Sequence, residues 1–133
     1  MNIRDYLAEN VLLFDGSMGT YFSSKTHRAP RECEQACVTA PEVIEQIHRE
    51  YSAAGCKAIK TNTFAANLQC LGDENEVEKI ITAACNIALK AAGDEVFVFA
   101  DIGPVFHESA MRDELEYKRL CELFIKNGVT NFL

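Results

Sequence analysis

Three times in 133 residues a short strand-forming run is cut off by a cluster of small polar residues, and that recurrence limits the folds open to the chain. The runs are 11–14, 56–60 and 96–100. The clusters are Asp15-Gly16-Ser17-Met18-Gly19-Thr20, Thr61-Asn62-Thr63-Phe64 and Asp101-Ile102-Gly103-Pro104. Val96-Phe97-Val98-Phe99-Ala100 has no polar alternation, the pattern of a strand buried on both faces in a parallel sheet. Between the runs lie helical patterns. Thr39-Ala40-Pro41-Glu42 has the form of a capping box and leads into Val43, Ile44, Ile47, Tyr51 and Ala54 at helical spacing. A longer helix is predicted over 74–92, with Val77, Ile80, Ile81, Ala84, Ala88 and Ala91 on one face, and another over 113–127. Gly55, Gly93 and Gly128 close the three helices. A short opening helix over 1–10 is anchored by Tyr6 and Leu7, a helical turn falls at 67–72, and a fourth strand begins at Val129. Residues 23–38 show no stable period and read as a long loop over the mouth of a site, with His27 solvated on it.

Strands alternating with helices form parallel sheets with right-handed crossovers, either a (β/α)8 barrel or an open doubly wound sheet. An open sheet that stops on an apolar strand leaves a naked edge and an uncovered face, which favours a barrel. The expectation is the N-terminal half of a (β/α)8 TIM barrel, with about four parallel strands over 1–133, truncated in strand four. At 48% hydrophobic residues the chain can fill a core of that size. The net charge of -7 and the lack of a basic patch exclude a nucleic-acid partner. No leader pattern opens the chain and no apolar run reaches the ~20 residues that cross a bilayer, so no membrane partner and a cytoplasmic location are expected.

The first cluster is the leading site candidate. Sites of parallel α/β folds sit at the carboxyl ends of strands, where Asp15 would point its carboxylate into the crevice and hold an ammonium group. The amides around Gly16, Ser17 and Gly19 would hold an anion such as a carboxylate. Thr61, Asn62 and Thr63 face the same crevice from the second strand end. Six cysteines are scattered without a CxxC pair, and Cys33 and Cys37 lack further ligands at metal spacing, so most read as small buried hydrophobes and no metal site is expected in this chain.

These clusters, together with Pro41-Glu42, Ile47-His48, Tyr51-Ser52-Ala53-Ala54-Gly55 and Ile102-Gly103-Pro104, make the chain resemble the homocysteine S-methyltransferase family over nearly its whole length. That family usually has Ala at the position of Ser17. The resemblance implies a barrel that binds homocysteine and activates its sulfur as a zinc thiolate for attack on a methyl group. It implies that Asp15 pairs with the amino group, that backbone groups of Gly16, Ser17 and Met18 hold the carboxylate, and that Thr61, Asn62 and Thr63 line the pocket. His48 reads as a packing or surface residue. The family's zinc ligands are three cysteines of the second half of the barrel, absent from this chain. Cobalamin on another module is one source of the methyl group; a betaine-like compound and S-methylmethionine are others, and this sequence does not choose among them. A missing barrel half or self-association is the expected macromolecular partner. The competing readings are a non-catalytic half-barrel that binds an amino acid or assists assembly, and an unrelated α/β enzyme with an anion site at 15–20.

Overall fold

The computed structural model describes residues 2–133. In chain order the elements are α1 (Ile3–Glu9), α2 (Met18–Thr26), a 3-10 turn (Pro30–Glu32), α3 (Cys33–Thr39), α4 (Pro41–Ala53), β1 (Ala58–Lys60), α5 (Leu68–Leu71), α6 (Glu74–Ala92), β2 (Phe97–Ala100), α7 (Ala110–Lys126) and β3 (Asn131–Phe132). The strands form a parallel sheet in the order β1-β2-β3, with Ile59 opposite Val98 and Phe99 opposite Asn131.

The sheet is covered on both sides, as the unbroken apolar run of β2 requires. Ile59, Val98 and Ala100 pack against α6 and α7 through Ile80, Ile81, Leu120 and Phe124. On the opposite face Ala58, Phe97 and Phe99 meet Ile3, Tyr6, Leu12 and Phe14. The rings of Tyr6 and Phe97 lie 5.6 Å apart edge to face, and those of Phe14 and Phe99 are 4.9 Å apart. Leu7, expected as an anchor beside Tyr6, is exposed instead. A third cluster, with Phe22, Ala36, Cys37, Ile44 and Ile47, joins α2, α3 and α4 to α6.

Helix α6 is specified at both ends. Asp73 caps it by accepting from Asn75 N at 2.7 Å, Glu74 and Glu76 sit at the positive end of the helix dipole, and Lys90 sits near the negative end. Gly93 then leaves the helix with φ of 54°, a conformation that a side chain disfavours.

Three further expectations are corrected. The run 11–14 is not a regular strand: only Phe14 bridges to Ala58, and Asp15 N donates to Ala58 O at 2.9 Å. Its side chains alternate, with Leu12 and Phe14 turned to the sheet while Val11 and Leu13 are 88% and 59% exposed. The segment 23–38 is not a loop, since it holds the end of α2, the 3-10 turn and most of α3. Thr39 is not a cap either. It closes α3 by donating its hydroxyl to Gln35 O at 3.3 Å, and α4 starts from Ala40 with Pro41 in its first turn.

Candidate functional site

A pocket of about 390 Å³ opens at the carboxyl ends of the first run, β1 and β2. All seven residues expected there line it: Asp15, Gly16, Ser17 and Met18 on one side, Thr61, Asn62 and Thr63 on the other. The lining also includes Arg31, Glu34, Lys60 and Asp101, whose charged side chains were not among the expected site residues. Lys60 was legible in principle. Side chains of a strand alternate between faces, so Lys60 lies on the same face as Ala58, and at the last position of the strand that face opens into the crevice.

The first wall is built by an Asp followed by a helix start. Ser17 is the N-cap of α2 with an extended backbone, and its side chain caps no backbone amide but accepts from the Thr20 hydroxyl at 2.8 Å. Among the described residues the N–H groups of Gly16, Ser17 and Met18 have no acceptor. They form an open cluster of donors at the positive end of a helix, where an anion is stabilised. Tyr51 of α4 holds this turn by donating its hydroxyl to Ser17 O at 2.7 Å, and a Cβ on Gly16 would stand 2.9 Å from that hydroxyl oxygen. Glycine at position 16 therefore leaves room for the Tyr51 hydroxyl, which any larger residue would have to push aside.

The second wall is closed upon itself. Thr63 donates to Asp101 O at 2.7 Å, which makes Thr61 the donor in the 2.7 Å contact between the two hydroxyls; Thr61 in turn accepts from Asp101 N at 3.0 Å. Asn62 donates its amide to Cys33 O at 2.6 Å and to Cys37 Sγ at 3.3 Å, tying β1 to α3. Gly103 packs beneath Phe64 so closely that a Cβ there would lie 2.2 Å from Phe64 O. The Ile102-Gly103-Pro104 segment thus forms the support of the second wall.

The charges are unevenly paired. Lys60 spans the Asp15 carboxylate: its ammonium bonds Oδ1 and, at 3.1 Å, the main-chain oxygen, while its own N–H donates to Oδ2 at 3.1 Å. Burial raises the Asp15 carboxyl above its ordinary value, and the bonds from Lys60 oppose that rise. Burial also raises Asp101, whose carboxylate has no hydrogen-bond partner among the described residues. Glu34 accepts from Ala65 N at 3.2 Å and from the Cys33 thiol at 3.2 Å.

The residues present do not fit a zinc site. Among the described residues no three His, Cys, Asp or Glu side chains converge as metal ligands. Burial pushes the Cys33 thiol up and the Cys37 thiol up to about 12, so both are protonated here. Cys33, Cys37, Cys56 and Cys85 are buried, as expected of small hydrophobes, whereas Cys70 is exposed. His48 is a packing residue: it is fully buried, with neither ring nitrogen partnered among the described residues.

Residues 12–128 match the sequence model of the homocysteine S-methyltransferase family. The chain belongs to that family. It is 30% identical over 118 residues to methionine synthase of Mycobacterium leprae, an alignment covering 77% of this chain. It is 36% identical over 85 residues to methionine synthase of Mycobacterium tuberculosis, covering 59% of this chain. The chain spans only 10% and 7% of those two proteins. It superimposes on the metallated form of the homocysteine methyltransferase MmuM from Escherichia coli with a TM-score of 0.83 at 21% identity, over 98% of this chain and 55% of that one. On the apo form the TM-score is 0.78 at 24% identity, again over 98% of this chain. The fold class is the expected one, α/β with parallel strands, and it matches a portion of a TIM-barrel structure. No helix among the described residues is long and apolar enough to cross a membrane.

Proposed function

We propose that this chain supplies the amino-acid-holding half of a homocysteine S-methyltransferase, in which a methyl group passes to the sulfur of homocysteine to give methionine. The observation that carries this reading is the pocket's polarity: a buried carboxylate, Asp15, stands beside the open amides of Gly16, Ser17 and Met18. An amino acid presents the complementary pair, an ammonium and a carboxylate on one carbon. Asp15 takes the ammonium, the amides take the carboxylate, and the walls formed by Thr61, Asn62 and Thr63 fix the width of the slot. The family membership supplies the substrate class. Activation of the thiol by zinc belongs, in this reading, to cysteines outside these residues, and the methyl donor is left open.

The test is homocysteine binding by Asp15→Asn, read by calorimetry. A buried charge-assisted contact is worth about 1.5–3 kcal/mol, so affinity should fall by about 10- to 150-fold. Unchanged affinity would reduce Asp15 to a turn residue and favour a module with another ligand.

A further inference from the structure

The carboxylate assigned to the ligand's ammonium already carries one. Lys60 engages both oxygens of Asp15, Oδ1 through its side chain and Oδ2 through its main chain. The Asp15 side chain is 3% exposed and that of Lys60 is 23% exposed, so the lysine is the more accessible member of the pair. An ammonium group arriving from the pocket meets Lys60 first. Moving Lys60 away would strand a half-buried cation, which is costly without a new partner. Such a partner is present. Asp101 lines the same pocket, its carboxylate has no hydrogen-bond partner among the described residues, and the Lys60 charge already acts on it.

We propose that Lys60 is the specificity-determining residue of this pocket: it caps the Asp15 carboxylate until an incoming ammonium group takes its place, and then rests against the Asp101 carboxylate. This rests on the reading of the pocket as an amino-acid site. One cation replaces another at Asp15, and the displaced one is neutralised nearby, so each charge stays paired. A ligand without an ammonium group has nothing to exchange for Lys60 and leaves the lysine on Asp15. The pocket thereby admits amino acids in preference to plain carboxylic acids of the same length.

The experiment is a double-mutant cycle on homocysteine binding by the full chain, using Lys60→Gln, Asp101→Asn and the pair. Lys60→Met is the second variant should Lys60→Gln fold poorly; both keep the main-chain bond from residue 60 to Asp15. Contacting charges couple strongly, so Asp101→Asn should weaken homocysteine about tenfold when Lys60 is present and leave it unchanged when Lys60 is replaced. The des-amino analogue of homocysteine should bind equally well with and without Asp101. Equal weakening of homocysteine in both lysine backgrounds would mean that Asp101 acts on the ligand directly, and no weakening in either would mean that Lys60 never moves; both overturn the handover. A wild-type chain that binds no homocysteine, or binds it without regard to Asp15, overturns the amino-acid reading itself.

Discussion

The two walls of the pocket carry the same sequence signal and are built on opposite principles. At 15–18 the chain leaves its extended run with unbonded amides and a carboxylate held by one cation, Lys60. At 61–63 every polar side chain is bonded to another part of the protein. Polar residues at a strand end therefore mark the site in both places but have different roles. The first wall offers its groups to a ligand, while the second uses them to fix the distance between β1, β2 and α3.

This contrast predicts where substitutions act. The largest effect should come from Gly103→Ala, beneath the second wall, because the new Cβ meets a main-chain oxygen that cannot rotate away. Overpacking against backbone should cost about 3 kcal/mol or more, read as a lower denaturation midpoint. Acid should act next. Burial holds His48 at about 4, below its unfolded value of 6.5, with the Lys60 charge adding to the effect. The folded chain keeps the ring neutral, so this contribution is complete above pH 6.5 and is lost as the pH falls toward 4. Up to about 3 kcal/mol of stability should go in that window, and His48→Leu should flatten it. Homocysteine binding would also fall on acidification as Asp15, raised by burial, takes up its proton.

Asn62→Ala should cost about 2 kcal/mol of stability, since it removes the buried amide's bonds to Cys33 O and Cys37 Sγ that tie β1 to α3. Gly16→Ala, in the first wall, should cost only about 1 kcal/mol, the worth of the Tyr51 hydrogen bond to Ser17 O that the new methyl displaces. If Gly16→Ala proves as damaging as Asn62→Ala, the first wall is as much scaffold as the second, and the contrast fails.

Most of the fold was legible because its signals were redundant. The helix over 74–92 combined a periodic apolar face with a closing glycine, and it forms at those bounds. The three strand ends gave up the pocket because polar side chains in an apolar run have few other places to go. The misreadings share a physical cause. In 11–14 every residue is apolar, so the run hid which side chains would face the sheet, and Val11 and Leu13 stand exposed. In 23–38 charged and polar residues masked a helical face; the spacing of Cys33, Ala36 and Cys37, all buried in α3, was the signal available. That Lys60 and Asp101 share one pocket was hidden because it depends on which strands become neighbours, and β1 meets β2 only through the long crossover that contains α5 and α6.

The ring that joins Thr61, Thr63 and Asp101 has a consequence in time. Each hydroxyl hydrogen in it points one way, and the Asp101 amide hydrogen is enclosed behind two buried threonines. Placed in heavy water, that amide should surrender its proton only when this part of the sheet opens, whereas the unbonded amides of Gly16, Ser17 and Met18 should exchange almost at once. The two sides of one small pocket would then keep different clocks, and a ligand carboxylate would be seen to arrive by the slowing of the faster one.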